Sequence, residues 1–100
     1  ASHYAAAKAA LSGFTKAWAR EFAPYRIQVN AVAPGFVLTG MTRGSNTPEM
    51  VKERGEGMPL GRLTEPEDIS YAVAWLASSE TEMITGQVIS PNSGEVIVGY

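Results

Sequence analysis

One hundred residues, 45% hydrophobic and 18% charged, have the composition of a single small globular domain that buries roughly two thirds of the surface its unfolded chain exposes. Eight Lys and Arg against ten Asp and Glu leave a net charge of −2, too weak and of the wrong sign for binding nucleic acid or an anionic membrane surface. The absence of cysteine excludes disulfides and thiolate metal sites, the single histidine (His3) excludes a histidine-rich zinc site, and the longest apolar stretch, Ala31 to Leu38, falls far short of the ~20 residues of a membrane span.

The chain opens at Ala1 directly inside a helical pattern. It lacks the basic region and apolar core of a secretory signal, and such a start is expected of a processed or cut chain. From Ser2 to Phe22 the residues Tyr4, Ala7, Leu11, Phe14, Trp18 and Phe22 recur at spacings of three and four, the mark of one face of an amphipathic helix. Lys8, Ser12, Lys16 and Arg20 form a polar line beside that stripe, and Pro24 ends the run. A strand is expected over Arg26–Ala33, where Ile27, Val29, Ala31 and Ala33 alternate with Gln28, Asn30 and Val32. Pro34-Gly35 closes it with a chain reversal.

Phe36 to Leu63 is the least regular part and holds five of the ten glycines. Only Pro48–Arg54 within it has helix-forming composition, so a long functional excursion is expected. Thr64-Glu65-Pro66-Glu67 then announces a second amphipathic helix, with Thr64 as cap and Glu67 three residues on. Ile69, Ala72, Val73 and Leu76 form its buried stripe. Gln87–Ser90 reads as a second strand, broken by Pro91 and the turn-forming Asn92-Ser93-Gly94, and the tail Glu95–Tyr100 is apolar and β-prone. Helix, strand, long loop, helix, strand contains a βαβ unit with parallel strands, in one domain or one piece of a domain.

Tyr4 and Lys8 stand four apart on the first helix, so their side chains are neighbours. An ammonium beside a phenol favours phenolate, and such a tyrosine can exchange a proton near neutral pH, as acid–base catalysis on a carbonyl or alcohol requires. The spacing alone is also what an ordinary solvated helix face carries. His3, turned about 100° away, reads as a surface or interface residue. Trp18 and Trp75 read as packing residues. Glu65, Glu67 and Asp68 read as acids at a helix start. Gly55-Glu56-Gly57 has its next glycine, Gly61, one position too late for a phosphate loop and no strand before it.

The blocks Ser2-His3-Tyr4-Ala5-Ala6-Ala7-Lys8, Arg26-Ile27-Gln28-Val29-Asn30-Ala31-Val32-Ala33-Pro34-Gly35, Pro59-Leu60-Gly61-Arg62, Glu65-Pro66-Glu67-Asp68-Ile69 and Thr85-Gly86-Gln87-Val88-Ile89 occur in an order that closely resembles the short-chain dehydrogenase/reductase family. Within it, the wording is most like the 3-oxoacyl-[acyl-carrier-protein] reductases. The resemblance implies an α/β fold, the carboxy-terminal part of a Rossmann-like doubly wound parallel sheet. It implies Tyr4 as catalytic acid/base, and Lys8 as holder of the nicotinamide ribose that also lowers the Tyr4 pKa. Pro34 and Gly35 would let backbone approach the nicotinamide ring, with Val37 and Thr39 contributing further cofactor contacts. NAD or NADP is the implied cofactor, a small-molecule or acyl-carrier thioester the implied substrate, with no metal. The loop from Phe36 would cover substrate, and the helix from Thr64 with the strand at Gln87 would form an intersubunit surface.

Family members are more than twice this length. Their glycine-rich pyrophosphate loop and their catalytic Ser and Asn precede the Tyr-x-x-x-Lys helix. Residues 1–100 are therefore expected to be a single carboxy-terminal segment without the dinucleotide-binding half, inactive alone. Gly40 stands where relatives often carry an acid, and Ser93 where many carry glycine. The alternatives are a non-catalytic self-associating module and a small ligand binder using Tyr4 and the Phe36–Leu63 loop. A cytoplasmic homo-oligomer is expected, a dimer with a tetramer as the larger form, because the strand at Ile27 has an open edge and the first helix shows an apolar stripe too wide for a small monomer to cover.

Overall fold

The computed structural model describes residues 2–38 and 47–97, the side chain of Tyr4 excepted. Helix α1 covers Ser2–Phe22, the whole predicted span. Its alanine-rich run needs little packing to stay helical, and it ends where Pro24 opens a 3-10 turn at Ala23–Tyr25. Arg26 adopts a left-handed conformation (φ 59°) and donates its N–H to the Ala23 carbonyl at 2.9 Å, while the Ile27 N–H reaches the Phe22 carbonyl at 3.3 Å. These bonds satisfy carbonyls that a helix end leaves orphaned, and they turn the chain back. The return runs beside α1, against which β1 (Ala31–Val32) packs.

β1 pairs in parallel with β2 (Val88–Ile89), Ala31 opposite Val88 and Val32 opposite Ile89. Both strands are shorter than the sequence suggests, although bonding between the two segments continues beyond them. Gly86 N–H donates to Val29 O at 2.8 Å, Ala31 to Gln87 at 2.9 Å, Ala33 to Ile89 at 2.9 Å and Gly35 to Pro91 at 3.4 Å. The strands shorten because side chains take over the backbone groups before Ala31. Val29 N–H binds Thr85 Oγ1 at 3.0 Å, and Gln87 N–H binds Asn30 Oδ1 at 3.1 Å. Gln28 Nε2 donates to the Ile84 carbonyl at 2.8 Å and to that of Thr81, and Asn30 Nδ2 donates to Ile84 at 3.0 Å. The polar alternate positions of the predicted strand thus clamp the turn that delivers β2.

Two helices lie between the strands. α2 (Pro48–Glu56) starts at Thr47, whose hydroxyl accepts from Met50 N–H at 3.2 Å. α3 spans Pro66–Leu76 and corrects the expected cap. Glu65 is the capping residue, and the Asp68 carboxylate accepts its N–H at 2.8 Å. Thr64 is otherwise engaged: it is buried, bridges in parallel to Val37, and accepts the Leu38 N–H on its carbonyl at 3.0 Å. After α3, a 3-10 turn at Ser79–Thr81 buries Thr81, whose hydroxyl lies within hydrogen-bonding distance of the Trp75, Leu76 and Ser78 carbonyls. No strand forms over 95–97; residues 98–100 of the predicted tail lie outside the described residues.

Burial departs furthest from the sequence pattern. Among the described residues only Ala19 and Leu63 are buried apolar side chains, joined by the polar Thr15, Thr64, Thr81 and Asn92. α1 turns Thr15 and Ala19 inward, with Ala19 Cβ 3.4 Å from where a side chain on Gly86 would begin. Small residues are what such a close approach allows. Of the predicted stripe, Leu11 is 52% exposed, Phe14 54% and Trp18 46%, while Phe22 is half-buried, and Phe14 and Trp18 stack with ring centroids 5.3 Å apart. On α3, Ile69, Ala72 and Leu76 are half-buried, whereas Val73 and Trp75 are exposed. The radius of gyration is 15.8 Å, against about 13 Å for a compact domain of this length. The helices carry more apolar surface than a two-stranded sheet can cover.

Candidate active site

Tyr4 and Lys8 lie one turn apart at the amino-terminal end of α1, and Lys8 is exposed. Walking back from Phe22 to Tyr4 at about 1.5 Å per residue covers about 27 Å. Walking forward from Ile27 to Gly35 at about 3.3 Å per residue covers nearly the same distance. The return segment lies along α1, and at these lengths the Tyr4–Lys8 end of the helix and the Pro34–Gly35 turn would fall at one level, beyond the carboxyl end of β1. That end of the strands is where open α/β sheets bind ligands.

The backbone after β1 is held at each step. Ser90 Oγ donates to the Ala33 carbonyl at 2.6 Å, and the Gly35 N–H points to the Pro91 carbonyl. The Phe36 N–H donates to Glu95 Oε1 at 3.4 Å. Val37 then joins the Thr64 bridge. Pro34, Gly35 and Val37 therefore form one continuous seated run. Thr39 lies outside the described residues.

Gly35 is not in the left-handed region. It is glycine because a Cβ there would lie 2.7 Å from Asn92 Cβ and 3.2 Å from Asn92 Cα. α2, part of the predicted excursion, leans on the same run: the Arg54 guanidinium sits 3.8 Å above the Phe36 ring, a cation–π contact. The predicted glycine pair Gly55-Glu56-Gly57 only closes this helix, Gly57 N–H capping Glu53 O at 3.2 Å.

A cleft of about 640 Å³ opens between α3 and the loop from Ile89 to Ser93. Arg62 crosses its rim and binds Asp68 with both terminal nitrogens, at 2.8 and 3.0 Å. The Arg62 hydrogen bonds and the Glu65 N–H hold the Asp68 carboxyl down at about 2, and Asp68 in turn raises Arg62 above its ordinary value. Glu65 and Asp68 thus serve the cap, as expected of acids at a helix start, and Asp68 also holds an ion pair with Arg62. Among the described residues no group of three His, Cys, Asp or Glu is placed to hold a metal. His3 is exposed.

Sequence reasoning missed Asn92 as anything beyond a turn residue, and it missed Glu95, Arg54 and the Arg62–Asp68 pair. The spacing of Arg62 and Asp68 across a capping position was the one local signal available. Asn92 and Glu95 act on residues more than fifty positions away, and no local pattern marks them.

The sequence profile described as enoyl-(acyl carrier protein) reductase matches residues 1–95. The 3-oxoacyl-[acyl-carrier-protein] reductase FabG of Thermotoga maritima is 46% identical over 97 residues, covering 96% of this chain and 39% of that protein. The crystal structure of 3-oxoacyl-[acyl-carrier protein] reductase from Brucella melitensis superposes with a TM-score of 0.84 at 40% identity, covering 96% of this chain and 35% of that one. YwfH, an NADPH-dependent reductase involved in bacilysin biosynthesis, gives a TM-score of 0.77 at 30% identity over 91% of this chain and 38% of its own. The chain spans about two fifths of the length of the relatives it matches.

Proposed function

The chain belongs to the short-chain dehydrogenase/reductase family, and we propose that residues 1–100 are the carboxy-terminal portion of an NAD(P)-dependent oxidoreductase that transfers hydride between a nicotinamide cofactor and a carbonyl or alcohol substrate such as a 3-oxoacyl thioester. Its helices and parallel strands are a part of the family's α/β sheet. The observation that supports the reading above all is that β1 returns alongside α1, from which equal path lengths would set the Tyr4–Lys8 end of the helix beside the Pro34–Gly35 turn. The reductase relatives, one of them NADPH-dependent, support the cofactor class.

The donor set fits a nicotinamide nucleotide. Lys8 offers an ammonium beside Tyr4 for ribose hydroxyls. The backbone of the Pro34-Gly35 run would pass beside the nicotinamide ring, with Val37 and Thr39 following. When bound, a reduced nicotinamide supplies hydride to the carbonyl carbon. The Tyr4 phenol gives its proton to the carbonyl oxygen, which yields the alcohol and leaves a phenolate. Lys8 stabilises that phenolate by its charge. In the reverse direction the phenolate takes the alcohol proton.

In the complete protein Tyr4→Phe removes one hydroxyl and is expected to lower kcat by about 10²–10⁴-fold while the melting temperature holds. Unchanged turnover removes the assignment. The 100-residue chain assayed alone is expected to oxidise neither NADH nor NADPH, because it carries no glycine-rich loop at a helix start to receive the pyrophosphate. Steady oxidation abolished by Tyr4→Phe would refute that expectation.

Self-association is the second part of the reading, supported by Leu11, Phe14 and Trp18 standing on one uncovered helix face. A dimer meets this need and a tetramer extends it. The same face equally suits a non-catalytic self-associating module, and titration of the complete protein with NADPH separates the two. No helix among the described residues is long and apolar enough to cross a membrane, and a chain without cysteine suits the reducing cytoplasm.

A further inference from the structure

Asn92 is buried, and its amide is fully engaged. Nδ2 donates to Val96 O at 2.7 Å and to Ser90 Oγ at 3.1 Å, while Oδ1 accepts the Gly94 N–H at 2.8 Å. Its own carbonyl accepts the Glu95 N–H at 3.0 Å. One side chain therefore closes the loop from Ser90 to Val96 on itself. The loop is pressed from its other side as well. Gly94 takes a left-handed φ of 83°, and a Cβ there would lie 2.8 Å from Pro59. Ser93 Oγ donates to the Arg62 carbonyl at 2.7 Å, and Leu60 N–H donates to the Ser93 carbonyl at 3.1 Å. Wedged in this way, the loop presents Asn92 Cβ to Gly35 and the Glu95 carboxylate to the Phe36 N–H.

We propose that Asn92 is a positioning residue for the nicotinamide end of the site: through its Cβ and the loop it closes, it sets the height of the Gly35–Val37 backbone above the sheet. The inference rests on the oxidoreductase reading above, since it concerns how that backbone meets the ring. Asn92 touches no reacting atom, for each of its amide groups is spent inside the loop. Its effect is steric and indirect. Where Gly35 has no side chain, the nearest surface below it is Asn92, so any shift of Asn92 moves the turn directly. Misplacement by about 1 Å at such a point can cost up to about a hundredfold in binding or rate.

The test uses the complete protein carrying this chain, with NADPH and NADH affinity read by cofactor fluorescence in the absence of substrate, beside steady-state turnover. Asn92→Ala removes the three amide bonds, and the dinucleotide Kd is expected to rise about tenfold or more while the Kd for the carbonyl substrate changes less than threefold. Gly35→Ala drives a methyl against Asn92 Cβ and is expected to raise the dinucleotide Kd by a similar factor. Adding Asn92→Gly removes the atom it strikes, so the double variant is expected to bind more tightly than the product of the single effects predicts. Effects that simply multiply, or an Asn92→Ala protein with unchanged dinucleotide Kd, overturn the proposal. The cycle reads coupling in the Gly35→Ala background even if Asn92→Ala is poorly folded. Failure of the underlying reading looks different: the unaltered protein then binds no dinucleotide, or Tyr4→Phe leaves turnover intact, and the role of Asn92 falls with it.

Discussion

Phe14→Glu places a charge on the uncovered face of α1 and asks whether another copy covers that face. Phe14 is 54% exposed, so about 100 Å² of a side chain that buries 150–250 Å² when covered lies in water. Covering it at about 25 cal/mol per Å² contributes about 2.5 kcal/mol per copy. A twofold interface brings the same patch from both copies, which doubles the effect to about 5 kcal/mol, a thousand- to ten-thousandfold in the dimer Kd. The wider surface points the same way. The chain exposes 7489 Å², against about 5,500 Å² for a folded monomer of this size. The surplus of about 2,000 Å² is the scale of a permanent interface. Sedimentation equilibrium of the 100-residue chain across a wide concentration range measures the association constant, with Lys16→Ala on the neighbouring polar line as the control. Phe14→Glu is expected to yield monomer at concentrations where the unaltered chain and the control remain dimers. If Phe14→Glu associates as the control does, or if the unaltered chain is a cooperatively melting monomer at micromolar concentration, the face is not the interface.

Arg26 holds a left-handed conformation at φ 59°, which costs a residue with a side chain about 1 kcal/mol and costs glycine nothing sterically. Arg26→Gly is therefore expected to raise the melting temperature by a few degrees, and a lowered melting temperature would show that the Arg26 side chain contributes more than its backbone loses. Asp68 is held at about 2, below the ordinary 3.8, by Arg62 and the Glu65 N–H. Its folded pKa lies below its unfolded one, so its contribution to stability is fully present above about pH 4 and is lost as pH falls from there through 2. Asp68→Asn is expected to flatten that limb in urea melts taken from pH 5 to 2; a limb of unchanged slope would reassign acid sensitivity to other carboxylates.

The element that sequence rendered best is α1, whose two ends are set locally: alanine sustains it and Pro24 stops it, with no distant residue needed. The alternation around Ile27 likewise marked which positions face apart. It did not reveal that Gln28 and Asn30 would spend their amides on the turn before β2, and so it overstated the strand. The cap of α3 shows the same division. Thr64, Glu65, Glu67 and Asp68 all suit a helix start, and the choice among them fell to Glu65 because Thr64 is held by Val37 from another part of the chain. Periodicity on α1 identified an apolar face but not its cover. That face is a property of the helix alone, while burial depends on how much partner surface the rest of the chain supplies. Here the supply suffices only for Thr15 and Ala19.

The candidate site divides along the same line. Tyr4 and Lys8 are legible because one helical turn brings them together whatever the rest of the chain does. Gly35 is legible as a residue but not as a reason: after proline it reads as a reversal needing conformational freedom, yet its φ is unexceptional and its demand is for space beside Asn92. A turn glycine tolerates a side chain of the right conformation, whereas a close-approach glycine does not unless the opposing residue shrinks with it. The two kinds therefore part experimentally at a position 57 residues away, because only the second can be rescued by Asn92→Gly. The Pro34-Gly35 run is best understood as half of a contact whose other half is Asn92, and its precision belongs to neither segment alone.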